Sequence, residues 1–221
     1  MKQDSRQVFI IGDVHGCYFE FLDLLKKVHY HKSTHRLILV GDIINRGPES
    51  LKMLEWVRKE EVEIVQGNHE YGFVKSVKEN RQVGSVLEKL KKDMGSQLQE
   101  WIQWIETWPF YLDDPDFLVV HGGLVPQQTP QQTDPWLLMH IRTWDGKGLD
   151  LNNPNHPPWY ELYQGEKLIV YGHWALQGLN VRSNTIGLDS GCSYGKKLSG
   201  LLLPEKNIVQ VSAKKNYASF L

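Results

Sequence analysis

Cysteine is scarce in this sequence, with only Cys17 and Cys192 among 221 residues. Two thiols cannot build a disulfide framework, so the class of small disulfide-stapled secreted domains is excluded. We expect both cysteines to be packing residues in a cytoplasmic protein. No apolar run approaches the ~18 residues of a spanning helix, and residues 1–7 are too polar for a signal peptide, so we expect no membrane partner.

An excess of charge of either sign is also missing. Lys and Arg number 25 against 26 Asp and Glu, which gives a formal net charge of -1 at pH 7. This balance excludes bulk electrostatic attraction to nucleic acid or to an acidic membrane. Hydrophobic residues make up 41% of the chain, enough for a substantial core, and we expect one domain over residues 1–221.

Apolar runs alternate with helical patterns in the first third of the chain. Runs at 8–11, 37–40 and 64–65 predict strands, separated by a helix at 19–28 and a second helix that Pro48 opens. Two successive strand–helix–strand units indicate a mostly parallel sheet of an α/β protein. Residues 71–108 predict an inserted helical region, in which Trp101, Trp104 and Trp108 are expected to form a packing stripe.

The second half predicts strands at 117–120 and 168–171, then antiparallel strands at 185–188, 198–203 and 208–211. Between them, residues 126–158 predict a long ordered loop with a short helix near 137–141. Loops of this length often shape a substrate site. Four aromatic residues in this loop or directly after it could stack on a base: Trp136, Trp144, Trp159 and Tyr160. Buried packing is the expected role of most of them.

Five short segments combine glycine with Asp, His or Asn, and each follows one of the apolar runs: Gly12-Asp13-Val14-His15-Gly16, Gly41-Asp42, Gly67-Asn68-His69-Glu70, His121-Gly122-Gly123 and Gly172-His173. Oxygen and imidazole donors that arrive together at strand ends suit a pair of divalent metal ions. Such a pair needs about three ligands per ion and one bridging carboxylate. Asp42 could bridge, and the other candidate ligands are Asp13, His15, Asn68, His121 and His173.

Residues beside these donors complete a hydrolytic site. His69 follows Asn68 directly, so it is better placed to protonate a leaving group than to bind the same metal. Arg46 and Arg142 could hold an anionic substrate, although a lone arginine is more often a surface residue. Hydroxide generated at a metal pair, two guanidinium groups and a histidine acid suit phosphoryl transfer to water.

The five segments, together with Arg46-Gly47 and Tyr171, resemble the signature of the calcineurin-like metallophosphoesterases of the phosphoprotein phosphatase superfamily. The resemblance implies a four-layer α/β/β/α sandwich. It also implies two divalent ions, with manganese first and iron, zinc, cobalt or nickel as alternatives. The implied ligands are Asp13, His15, Asp42 (bridging), Asn68, His121 and His173; His69 would be the general acid, and Arg46 and Arg142 phosphate contacts.

One departure from that signature is informative. Protein phosphatases of the superfamily carry Asp-Arg-Gly where this chain has Asn45-Arg46-Gly47, so Asn45 can hydrogen-bond His69 but supplies no negative charge. A neutral residue there resembles the ApaH-like branch, related to symmetric diadenosine tetraphosphatase. Segments 172–175 and 188–198 resemble that branch as well. Tyr194, in the second segment, is a candidate substrate contact.

Three functions follow from these residues. The first is a nucleotide phosphoanhydride hydrolase that splits a dinucleoside polyphosphate or a cap-like pyrophosphate. The second is a small Ser/Thr protein phosphatase that acts on a phosphoprotein with the same metals. The third is a non-catalytic binding protein, in which Asn45 marks lost activity. We rank it last, because every candidate ligand is present.

Overall fold

The structure is a computed structural model that describes residues 6–218. Along this range the chain forms, in order, β1 (Gln7–Ile11), α1 (Tyr18–Lys27), β2 (His35–Leu39), α2 (Ser50–Glu60), β3 (Glu63–Ile64), α3 (Asn68–Lys78), α4 (Ser85–Met94), α5 (Leu98–Glu106), β4 (Tyr111–Asp113), β5 (Phe117–Val120), α6 (Pro135–His140), β6 (Leu168–Tyr171), β7 (Asn180–Val181), β8 (Thr185–Gly187), β9 (Lys197–Leu203) and β10 (Asn207–Ser212). Short 3-10 turns lie at Gly95–Gln97 and Trp159–Glu161. No helix in this range is long and apolar enough to cross a membrane.

The strands form two five-stranded mixed sheets. The first has the order β10-β9-β1-β2-β3, and its β1, β2 and β3 are parallel. The second has the order β4-β5-β6-β8-β7, and its β5, β6 and β8 are parallel. The strand–helix–strand prediction for the first third is therefore confirmed. The sheet is mixed, because β9 pairs antiparallel to β1 and β10 pairs antiparallel to β9.

Alternating side chains of the strands bury two faces of each sheet. In β1, Phe9 and Ile11 pack with the helices, whereas Ile10 belongs to the cluster between the sheets. In β5, Val119 also belongs to the cluster between the sheets, while Val120 packs under α6 and the long loop. Because of this period-two pattern, four layers stack in order: helices, the first sheet, the second sheet, and an outer layer of helix and loop. This confirms the four-layer α/β/β/α sandwich.

Several sequence expectations need correction. The strand predicted at 185–188 is β8, and it pairs parallel to β6; its antiparallel partner is the two-residue β7. A strand of only three residues carries no information on its direction, which the crossover after β6 sets instead. Pro48 does not open α2, which begins at Ser50 after a turn. The helical insert begins at Asn68 rather than residue 71.

Other expectations are confirmed. The strands β9 and β10 are antiparallel, and α6 is the short helix of the long loop. Trp101 and Trp108 are buried in the core beneath the helices, as expected of a packing stripe. The same core contains Cys17 and Cys192 as free thiols.

Arg36 links the two sheets at the amino end of β2. Its guanidinium donates from Nε and Nη2 to the Glu63 carboxylate at 2.6 and 2.8 Å, and from Nη1 to Asp114 Oδ2 at 2.6 Å. Glu63 belongs to the first sheet, whereas Asp114 follows β4 of the second. These partly buried, bidentate contacts are stronger than an exposed ion pair.

We expect Arg36→Met to lower the free energy of unfolding by about 2 kcal/mol, because it leaves two partly buried carboxylates without their cation. The midpoint of urea unfolding measures this loss. Lys32→Met is the matched control, since Lys32 makes only an exposed contact with Glu61 at 3.6 Å and should cost under about 0.5 kcal/mol. Equal midpoints for both variants would contradict the role given to Arg36.

Candidate metal centre

The candidate ligands follow the carboxyl ends of strands from both sheets. Asp13 and His15 follow β1 and Asp42 follows β2 in the first sheet; His121 follows β5 and His173 follows β6 in the second. Two hydrogen bonds join the sheets at this edge. His121 Nδ1 donates to the carbonyl of Val40 at 2.8 Å, and the His173 backbone N–H donates to Asp13 Oδ2 at 3.0 Å. The site is thus built by both halves of the chain.

Asp42 is common to two clusters of donor atoms. In the first, Asp42 Oδ2 lies 3.7 Å from His15 Nε2 and 3.8 Å from His69 Nε2. In the second, it lies 3.3 Å from His121 Nε2, with His173 nearby. Asn68 Oδ1 joins the second cluster, 3.0 Å from His121 Nε2 and 2.8 Å from His173 Nδ1. Two overlapping clusters around one carboxylate fit two ions that share a bridging ligand.

The outer hydrogen bonds orient two of the imidazoles. His15 Nδ1 donates to the carbonyl of Ile44 at 3.0 Å, as His121 Nδ1 does to Val40. Since a carbonyl only accepts, both rings carry a proton on Nδ1, and the Nε2 atom of each faces Asp42. Histidine ligands of metals are held in this way by a backbone carbonyl behind the ring.

The Asp42–His121 pair favours a positive charge beside the shared carboxylate, whereas burial and neighbouring cationic groups lower the pKa values of His15 and His173. Burial opposes the imidazolium form of His121, yet Asp42 and Asp13 raise its pKa to about 10. Burial also opposes ionisation of Asp42, but His121 and His69 hold the pKa of this carboxyl well below its usual range. A cation placed among these donors would replace the proton that otherwise separates them.

Asp13 lies beside the clusters but outside both groups of closely spaced donors. Its carboxylate is buried and accepts the His173 backbone N–H. Burial, together with the carboxylate of Asp189, raises the pKa of Asp13 well above its usual range. Gly172 allows this approach, because a Cβ atom at that position would lie 2.0 Å from Asp13 Oδ1. The role of Asp13 as a ligand remains a prediction.

The backbone at the centre is strained. Of the ten non-glycine residues with positive φ between residues 6 and 218, five belong to the site: His15 (48°), Asp42 (51°), Asn45 (71°), Arg46 (65°) and His173 (67°). The left-handed conformation costs about 1–2 kcal/mol per residue for an L-amino acid. Strain of this kind persists only where surrounding contacts fix the backbone, and it concentrates at functional sites.

Glu70 supplies those contacts around Asp42, a role the sequence analysis did not assign. It is fully buried in the first turn of α3. Its Oε2 accepts the Asp42 N–H at 2.8 Å and the Gly67 N–H at 3.2 Å, and its Oε1 accepts the N–H groups of Ile43 and Ile44 at 2.9 and 3.1 Å. Burial and the Asp42 charge raise the pKa of Glu70 to about 7. The one signal in the sequence was the presence of an acidic residue directly after Asn68-His69.

His69 and its neighbours occupy the side of the centre open to substrate. Asn45 Oδ1 accepts the Arg46 N–H at 2.8 Å, so the amide Nδ2 faces His69 Nδ1, also at 2.8 Å, and donates to it. Burial lowers the pKa of His69 most strongly; Asp42 opposes this shift and the Arg46 guanidinium reinforces it. The predicted contact between Asn45 and His69 is thus present, and it favours a neutral ring.

Both predicted arginines reach the same cavity. It has a volume of about 160 Å³. Its lining contains every clustered donor except His121, together with Arg46, Arg142, Asn152, Trp174, Leu176, Asp189 and Tyr194. Arg142 Nη2 donates to the His173 carbonyl at 3.2 Å, and the Arg46 guanidinium lies 4.8 Å from the centre of the Tyr194 ring. These positions place cationic groups where an anionic substrate would meet the metal ligands.

Asp189 accepts the Gly191 N–H at 3.1 Å and also lines the cavity, a role that local sequence does not reveal. Trp159 and Tyr160 are buried, so packing is their use, as expected. Trp136 is half-exposed and stacks on His140 with ring centres 4.4 Å apart.

The profile of the calcineurin-like phosphoesterase family matches residues 6–195. The chain belongs to this family, and its donor set fits a two-metal phosphohydrolase. It is 31% identical to a bis(5'-nucleosyl)-tetraphosphatase PrpE (asymmetrical) of Bacillus cereus strain Q1, over 91% of this chain and 92% of that protein. It is 29% identical to a symmetrical bis(5'-nucleosyl)-tetraphosphatase of Aromatoleum aromaticum, over 96% of this chain and 99% of that protein.

Solved structures show the same fold. One described as a candidate diadenosine tetraphosphatase superposes with a TM-score of 0.85 at 28% identity, covering 95% of this chain and 94% of that chain. A yeast protein serine/threonine phosphatase superposes with a TM-score of 0.65 at 18% identity, over 96% of this chain and 80% of that chain. The second likeness is one of fold alone.

We expect Glu70→Gln to lower the free energy of unfolding by about 2–4 kcal/mol, because one amide NH₂ would then face backbone N–H donors without an acceptor. The same change should weaken metal binding, since the loop carrying Asp42 loses its anchor. Urea unfolding and titration with Mn²⁺ measure the two effects. Glu166→Gln, at an exposed position, is the control; a Glu70 variant that matches it would contradict this role.

We expect Asn45→Asp to raise the pKa of His69, because a carboxylate facing Nδ1 stabilises the imidazolium. The backbone tolerates the change, since Asp adopts the left-handed conformation nearly as readily as Asn. If protonated His69 is the acid, activity falls as pH rises through its pKa, so the alkaline limb of the rate profile should move to higher pH. The exposed Asn155→Asp is the control, and coincident profiles would show that residue 45 does not act on His69.

Proposed function

We propose that this protein hydrolyses phosphoanhydride bonds of nucleotides, with dinucleoside polyphosphates as the substrate class. The observation that carries the proposal is the pair of donor clusters that share Asp42, in one cavity with His69, Arg46 and Arg142. The named activities of the relatives from Bacillus cereus and Aromatoleum aromaticum support the nucleotide substrate.

The proposed ligand sets are based on the two clusters, with Asp13 in place of His69 in the first and Asn68 added to the second. One ion would be held by Asp13, His15 and Asp42, and the other by Asp42, Asn68, His121 and His173. Nitrogen and oxygen donors with no thiolate suit manganese, which we propose as the working metal. When bound, the ions would polarise the phosphate and lower the pKa of water. We further propose a cytoplasmic location, since both cysteines are free thiols.

The protein's own groups would bind the substrate and move one proton. Arg46 and Arg142 would contact the phosphate oxygens, and their charges would stabilise the negative charge that builds up during transfer. In its protonated form, His69, with Nε2 on the cavity side, would donate its proton to the leaving oxygen. Asn45 would hold the ring in place through Nδ1. Tyr194 would limit the position of Arg46 by stacking against its guanidinium.

The first experiment adds Mn²⁺ to metal-stripped protein and offers diadenosine tetraphosphate, a 5'-triphosphorylated RNA, a phosphopeptide and an aryl phosphate in parallel. Preference for diadenosine tetraphosphate supports the proposal, and the products give the position of cleavage: two ADP for the central bond, AMP and ATP for an outer one. Preference for the phosphopeptide would replace the proposal with protein phosphatase activity. No turnover of any substrate by metal-loaded protein would contradict both.

We expect Asp42→Asn to reduce turnover by at least about a thousandfold and to weaken metal binding, because the shared carboxylate loses its charge. Asn suits the left-handed backbone at this position, so the fold should be kept. Turnover and bound metal per chain are measured together, with the exposed Asp116→Asn as control. A fully metallated, active Asp42 variant would contradict the assignment of the centre.

A further inference from the structure

A second cavity of about 240 Å³ lies next to the metal centre. One wall is α2 and another is α4, while a third comes from the segment at 213–218 that follows β10. We call this cavity the α2–α4 groove; its apolar lining includes Leu51, Val86, Leu90 and Tyr217, and its charged residues are Arg46, Lys89, Asp93 and Lys215.

Arg46 lines both the groove and the metal cavity. Its Nη2 lies 3.4 Å from His69 Nε2, so its guanidinium faces the reacting end of the site. Tyr194, on which the guanidinium stacks, pairs through its backbone with Asn216. That pairing brings the segment carrying Lys215 and Tyr217 to the edge of the metal cavity. The groove therefore begins where the metal cavity ends.

The groove combines an excess of positive charge with apolar walls. Lys89 pairs with Asp93, which leaves Arg46 and Lys215 as the excess cations. The Lys215 ammonium lies 5.4 Å from the centre of the Tyr217 ring, and the Tyr217 hydroxyl donates to Glu20 at 2.7 Å, which fixes the ring. Apolar walls with a fixed aromatic ring suit a flat heterocycle, and cations at the rim suit the phosphates attached to it.

An extended peptide finds no strand edge on these walls. Two of them are the first turn of α2 and the helix α4. On the third, the N–H groups of Tyr217 and Ala218 both donate to the Ser193 carbonyl. Peptide grooves that work by strand addition need free backbone groups at an edge, which these walls do not offer.

We propose that the α2–α4 groove binds one nucleoside of the substrate, while the attached phosphates pass Arg46 to reach the metal centre. The proposal rests on the proposed function and makes it more specific. It gives the helical insert a role, because α4 supplies one wall of the groove. It also explains how the enzyme would favour nucleotides over other phosphate esters that satisfy the same metal ligands.

The test uses Val86→Asp, which places a carboxylate against the bound base. Val86 lies in the first turn of α4, where an acidic residue stabilises the helix, so folding should be preserved. Val181→Asp, at an exposed valine of β7, is the matched control. Two quantities are measured: saturation-transfer NMR signals of adenosine, and the ratio of kcat/KM for diadenosine tetraphosphate to kcat/KM for an aryl phosphate.

Wild-type protein and Val181→Asp should give adenosine signals that Val86→Asp loses, and the kcat/KM ratio should fall at least about tenfold in Val86→Asp alone. The adenosine measurement needs no turnover, so it tests the groove even if nucleotides prove not to be substrates and the proposed function fails. No adenosine signal from wild-type protein, or an equal signal from both variants, would overturn the proposal. The proposal would also be overturned if Val86→Asp raised KM for a phosphopeptide but not for the nucleotide.

Discussion

The carboxylate of Asp42 is the point on which the geometry of the centre depends. It faces imidazoles from both sheets, and its own backbone N–H is held by Glu70 from α3. Because the two sheets contribute different donors, the distance between the sheets at this edge sets the spacing of the clusters. The hydrogen bond from His121 to Val40 and the contacts of Asp13 with His173 fix that distance. At the amino end of β2, Arg36 performs a similar task through Glu63 and Asp114.

Hydrogen bonds to buried groups support the strained backbone at the centre. His15, Asp42 and His173 hold left-handed backbone conformations that an isolated peptide would avoid. Buried groups fix each of them: Glu70 accepts from Asp42, the Ile44 carbonyl accepts from the His15 ring, and Asp13 accepts the His173 N–H. The backbone that carries the donors is therefore held in place before a cation arrives, and a preorganised site of this kind favours tight binding.

Local patterns in the sequence predicted which polar residues lie close together better than they predicted how the strands divide into two sheets. Donors beside glycine after apolar runs identified the ends of strands, and the structure brings Asp42, Asn68, His121 and His173 together. The division into two sheets could not be read from periodicity, because an apolar run has the same pattern in either sheet; only the family resemblance implied it. The predicted antiparallel direction of β8 was wrong because an apolar pattern does not indicate strand direction either. Glu70 and Asp189 act through contacts distant in sequence, which a local pattern does not contain.

The position of β9 has a consequence for how the protein is made. β1 is synthesised long before one of its two neighbours in the sheet, β9, which begins at Lys197. Until that strand leaves the ribosome, one hydrogen-bonding edge of β1 is unpaired and the apolar face beneath it is incomplete. Contacts this distant along the chain slow folding and leave an aggregation-prone edge exposed meanwhile. The nascent chain therefore keeps an edge to which other chains can pair until β9 is in place.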